Sequence, residues 1–154
     1  MDLGTFFYTI FGIRSMLPGG GPEQAHPAAT TAVQGFEFEV RRCARTRHGP
    51  LVCEVAITNR RSVRRIFLFA AFQPQSYFAD RNGRRTAATR VRIAGVSDSG
   101  GAGADVPAGV SVCAEMEFET PDSAVKALAE LSISFEADDQ RARAVFQDIA
   151  LHED

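Results

Sequence analysis

The chain has 154 residues, 45% hydrophobic and 23% charged, with a formal net charge of −2. That length suits one domain whose core needs no metal to hold it together, and that composition excludes disorder of the whole chain. The small net charge excludes a uniform polycation or polyanion but conceals a partition: residues 41–92 carry thirteen Arg against Glu54 and Asp80, whereas residues 93–154 carry three basic side chains against thirteen acidic ones.

The first stretch, MDLGTFFYTIFGIRSM (1–16), is apolar from Leu3 to Ile13, short of the about 20 residues a membrane-spanning helix requires. Its length suits the apolar core of a secretion signal, yet Asp2 stands where a basic leader belongs and no small-x-small cleavage site follows at once. Three readings stay open: a remnant signal peptide or anchor, an interfacial or docking segment, and an element packed on the body. Residues 17–32, LPGGGPEQAHPAATTA, lack periodicity and are rich in Gly, Pro and Ala, so they read as a linker.

From Val33 the pattern changes to a period of two. Phe36, Phe38 and Val40 alternate with Glu37, Glu39 and Arg41, which in an extended chain places apolar and charged side chains on opposite faces. Leu51, Cys53, Val55 and Ile57 repeat the pattern, and TRHGP between the two runs supplies the Gly and Pro of a reversal. If the hairpin pairs residues whose numbers sum to 96, Cys43 faces Cys53 at a separation a disulfide tolerates. Phe36, Phe38 and Val40 are even-numbered while Cys43 is odd, so a shared core face demands a bulge near Arg41–Arg42. A Cys43–Cys53 bridge is expected, with two reduced thiols in a cytosolic hairpin as the alternative.

SVRRIFLFAAF reads as a strand covered on both sides or carrying a bulge. DRNGRR (80–85) brings Asn82-Gly83, a hairpin signal joining a strand near Ser76–Ala79 to one near Thr86–Ile93. AGVSDSGGAGADVPAG (94–109) reads as a long Gly-rich loop. Val110, Val112, Ala114, Met116 and Phe118 then alternate with Ser111, Cys113, Glu115, Glu117 and Glu119, giving a half-buried strand with an acidic outer face on which Cys113 is an inert thiol, or from which a local irregularity turns it inward. TPDSAVKALAE makes a helical turn or a connection; Leu131, Ile133 and Phe135 mark a strand, EADDQRA a turn and AVFQDIAL a last strand. About eight short strands and no long amphipathic helix predict an all-β, antiparallel two-sheet sandwich over residues 33–151.

The order of these features, with a Phe-rich first strand, a Cys pair bracketing a hairpin, AITN closing the second strand, DRNG, then PAG before a strand ending EFETP, resembles the secreted bacterial immunoglobulin-like sandwich domains of unknown function. The resemblance implies an extracytoplasmic immunoglobulin-like fold and contributes no catalytic residues. The chain departs from it at the amino end, where the charged leader and lipid-attachment cysteine are missing.

Catalysis finds little footing. His26, His48 and His152 fall in a linker, a turn and a tail, where no packing holds a base against a nucleophile and a third group. Asp138, Asp139, Asp148, His152, Glu153 and Asp154 do not follow calcium-loop spacing. No enzyme activity, cofactor or metal is expected. The Arg run invites three readings: nucleic-acid binding, neutralisation by the acidic strands inside the molecule, and association with a protein or envelope polymer or with a second copy through basic and acidic faces. Nucleic acid is the least favoured, because most Phe sit at core positions and not where bases could stack on them.

The expected function is a non-enzymatic extracytoplasmic binding or structural module of a cell envelope, secreted, periplasmic or on the cell surface. The alternative is a cytoplasmic adaptor with a basic face for nucleic acid or an acidic protein. Contact is expected at sandwich-end loops, namely the turn with Arg45, Arg47 and His48, the hairpin with Arg81, Arg84 and Arg85, and loop 94–109.

Overall fold

The computed structural model describes residues 29–153, so the apolar segment 1–16 and residues 17–28 of the linker 17–32 lie outside the described residues. Within them the chain is all-β. Eleven strands follow in order: β1 (Thr30–Val33), β2 (Phe36–Arg45), β3 (Leu51–Asn59), β4 (Arg64–Phe69), β5 (Tyr77–Ala79), β6 (Arg85–Ile93), β7 (Val96–Asp98), β8 (Gly101–Val106), β9 (Ser111–Phe118), β10 (Ala127–Ala137) and β11 (Gln140–Glu153).

Two sheets face each other across the core. One runs β1-β2-β3-β9-β6-β7, and the other carries β8, β4, β10 and β11 with β5 beside β10. The expected pair of separate sheets is corrected here, because two strands belong to both. β6 pairs with β5 through Arg85–Ala87 and then, from Ala88 onward and with an irregularity between Ala88 and Arg90, with β9. β11 leaves β10 after Ala150 and runs parallel to β2 over Leu151–Glu153. Hydrogen bonding therefore closes through β2-β3-β9-β6-β5-β10-β11, a ring of seven strands, and closure removes most of the free edge that a sandwich would expose along that path.

The core follows from the alternation. Phe36 and Phe38 of β2 meet Phe135 of β10 across the interior at ring separations of 5.9 and 5.0 Å, and Phe78 of β5 meets Phe118 of β9 at 5.2 Å. Burying several aromatic rings in such tilted and edge-on pairs supplies much of the apolar burial in a chain without Trp. Their partners come from opposite sheets, so these contacts hold the two layers together.

The predicted bulge is present. Register along β2 and β3 shifts between Val40 and Arg42, and beyond the shift Cys43 lies directly opposite Cys53. Both cysteines are buried and bonded, 4.0 Å apart at Cα. The extra residue changes the phase of β2, which is how an even-numbered apolar set and an odd-numbered cysteine come to share the core face.

Two readings of the chain need correction. The strand count exceeds eight, in part because β1 emerges from the end of the predicted linker through a Gln34-Gly35 turn with both residues at positive φ. The predicted loop 94–109 holds β7 and β8 instead. Its glycines serve close approach: a Cβ on Gly101 would fall 2.5 Å from the Phe67 ring, and one on Gly100 2.4 Å from that of Phe72. Aromatic rings lie against this strand where side chains would otherwise project.

The hairpin 80–84 also differs from its prediction in detail. Only Gly83 takes positive φ. The Asp80 carboxylate accepts from the Asn82 and Arg84 backbone N–H groups at 2.9 and 3.0 Å, so Asp80 organises a turn that Asn82-Gly83 alone does not define.

Candidate functional site

Charge on the barrel wall is largely neutralised between strands. β9 lies between β3 and β6, and one row across four strands reads Arg42, Glu54, Glu115, Arg92. Arg92 reaches Glu115 at 3.6 Å; elsewhere Arg60 pairs with Glu37 at 2.6 Å and Arg65 with Asp105 at 3.4 Å. Of the three glutamates on the acidic face of β9, Glu115 is thus paired from the β6 side, as the reading of neutralisation inside the molecule would have it. Cys113 is exposed on the same strand.

The two ends of the barrel treat their cations differently. At the end holding the 34–35 turn, Arg64 is buried; it donates to Asp138 at 2.7 Å and to the Gln34 carbonyl at 2.7 Å, and its guanidinium sits 4.0 Å from the Phe36 ring centroid. Asp138 and Asp139 form the β10–β11 turn with positive φ. Among the described residues no group of three or more His, Cys, Asp or Glu is placed to hold a metal ion.

At the opposite end lie the 46–50 turn, the 80–84 hairpin and the connection from β9 to β10. Thr120 ties that connection to the turn by donating from its hydroxyl to the Gly49 carbonyl at 2.6 Å. Arg45, expected at a contact surface, is buried here. Its guanidinium donates to the carbonyls of Pro121, Asp122 and Val125, and its Nε to Glu153 at 3.2 Å. One cation thereby satisfies three carbonyls of an irregular segment and fixes its path.

Between that segment and the hairpin opens a cleft of about 600 Å³, lined by Asp80, Arg81, Arg84, Asp122 and Lys126 together with Asn82, Ala124, Val125 and Ala127. Arg81, Arg84 and Lys126 are exposed, and no side-chain partner holds any of them among the described residues. The two carboxylates are turned toward backbone: Asp80 caps its own turn, and Asp122 accepts from the Ala124 N–H at 3.4 Å. Three cationic side chains against two carboxylates leave the cleft with a small net positive charge.

The structure thus divides the six sequence-predicted contact residues. Arg81 and Arg84 line the cleft; Arg47 and His48 are exposed on the neighbouring turn, with His48 at φ 59°. Arg85 stands 4.3 Å over the Tyr77 ring, Arg143 flanks that ring at 5.3 Å, and Arg45 is internal. Segment 94–109 does not join them, since it follows Ile93, which pairs with Ala114, whereas the hairpin lies toward Ala88 and Phe118 at the other end of β9. The sequence reading missed Lys126, although it is the one Lys among seventeen basic residues. Comparison with protein-family models and with curated proteins finds no match.

Proposed function

We propose that the protein is a non-enzymatic, extracytoplasmic module of a bacterial cell envelope that engages a partner through the hairpin end of its barrel. The observation that carries this reading is the Cys43–Cys53 bond, buried in the core across directly opposed residues. Disulfides of this structural kind persist in oxidising compartments. No helix among the described residues is long and apolar enough to cross a membrane.

Contact is assigned to Arg47, His48, Arg81 and Arg84, because their side chains are exposed and have no side-chain partner among the described residues, while Arg45 and Arg64 serve the interior. A nucleic-acid adaptor draws less support, since Arg41, Arg60, Arg65 and Arg92 each lie beside a carboxylate. A steep linear fall of log affinity for nucleic acid with log salt would favour that reading instead.

The test is the non-reduced intact mass of the protein from fractionated native cells, with peptide mapping across residues 33–60. A Cys43–Cys53 linked peptide in the extracytoplasmic fraction is the expected result. Two free thiols in cytosolic protein would overturn it.

A further inference from the structure

The side of β10 that faces β4 and β5 is closed along most of its length. β4 pairs with Phe135 and Glu136, and β5 with Glu130 through Ser132. Between them the Ser76 hydroxyl accepts from the Ser134 N–H at 2.9 Å and donates to the Phe69 carbonyl at 2.6 Å, bridging the gap between the two strands. β5 then ends at Ala79, opposite Glu130, while β10 starts three residues earlier at Ala127. At Ala127 and Leu128 β11 pairs with one side of β10, and among the described residues no strand pairs with the other side over Ala127–Ala129. This unpaired stretch borders the cleft, which Ala127 itself helps to line.

An unpaired strand edge offers main-chain N–H and C=O groups to another extended chain, and neighbouring side chains then select what that chain carries. Here the selecting groups are Arg81, Arg84 and Lys126, with Ala124 and Val125 as small apolar surface. Arg45 holds the wall opposite the hairpin through its three carbonyl contacts, so that wall is formed before any ligand arrives.

We propose that this cleft receives a short, extended, acidic peptide segment of a partner protein. The segment adds to the β10 edge at Ala127–Ala129 and directs its carboxylates to Arg81, Arg84 and Lys126. The proposal rests on the assignment of contact to the hairpin end and specifies its ligand. A volume of about 600 Å³ accommodates a few residues, within the range of ordinary ligand sites. Among the described residues, this end combines an unpaired stretch of strand with exposed cations that have no side-chain partner.

The experiment is a titration of the isotope-labelled full chain, followed by amide chemical shifts, with three probes: a decapeptide of alternating Glu and Val, the same peptide with alternate backbone amides N-methylated, and inorganic polyphosphate of matched charge. The expected result is peptide binding that shifts the amides of 80–84 and 125–130. Both N-methylation and the double variant Arg81→Glu/Arg84→Glu should weaken it at least tenfold, and polyphosphate should bind less well than the peptide. Equal binding of polyphosphate at these residues, with no effect of N-methylation, would overturn the peptide proposal while preserving the hairpin end as an anion-contact surface. Peptide binding that maps elsewhere overturns the proposal as well. No response of either the hairpin or the 46–50 turn to any probe overturns the proposal and the contact assignment together.

Discussion

Arg64 and Arg81 stand at opposite ends of one barrel and show two uses of the same side chain. Arg64 is buried against Phe36, is paired with Asp138 and closes the 34–35 turn, whereas Arg81 is exposed at a cleft with no side-chain partner among the described residues. Arg45 shares the cleft end with Arg81 yet belongs with Arg64 in kind, since its guanidinium is committed to backbone carbonyls and Glu153. An Arg-rich stretch is therefore no uniform surface. Residues 41–92 distribute their cations among internal clamps, strand-to-strand pairs and a small uncommitted set.

The largest effects should come from breaking the clamps. Arg64→Ala removes a charge-assisted pair, a carbonyl contact and a ring contact, and should destabilise by about 2–4 kcal/mol; Arg45→Ala should cost about as much, since charged hydrogen bonds each contribute roughly 1.5–3 kcal/mol. Chemical denaturation of the full chain under non-reducing conditions checks both. For Arg45→Ala, amide shifts of 121–126 should also move, a response that Arg64→Ala should not produce.

Next comes the disulfide. The double variant Cys43→Ala/Cys53→Ala should lose roughly 2–3 kcal/mol by the loop-entropy estimate for ten residues of separation, read as a lower denaturation midpoint. If the variant unfolds at the same denaturant concentration as the parent, the bond contributes nothing to the fold. Smaller again is Arg92→Ala, which removes an exposed pair with Glu115 and should change stability by about 0–1 kcal/mol. A loss well above that would show that the charged row across β2, β3, β9 and β6 acts as a coupled unit.

Much of this comparison was legible in the sequence, and the failures are instructive. Once Cys43 was set opposite Cys53, the bulge at Arg41–Arg42 followed from parity, because a strand with one buried face leaves no freedom of phase. Segment 94–109 misled because Gly signals a loop by its backbone freedom, whereas Gly100 and Gly101 are required by rings from distant Phe72 and Phe67. Strand β1 was hidden because Gln34 lacks the turn preference of Asn or Asp yet takes φ 53°. Closure of the barrel was equally out of reach: it depends on β11 passing from β10 to β2, a change of partner without a local signature. In the cleft, Arg81 and Arg84 were found from the hairpin motif. Arg45 was assigned to the surface because its burial depends on a segment more than seventy residues away.

The most direct test is a pair of thermal midpoints for the full, non-reduced chain, Arg64→Ala against the double variant Arg81→Ala/Arg84→Ala. The account predicts a fall of roughly 10 °C for Arg64→Ala, from a loss of about 3 kcal/mol in a domain of this size, and a change within about 2 °C for the double variant. A double variant that melts as early as Arg64→Ala would contradict it, because the cleft cations would then be holding the barrel together and would not be free to meet a partner.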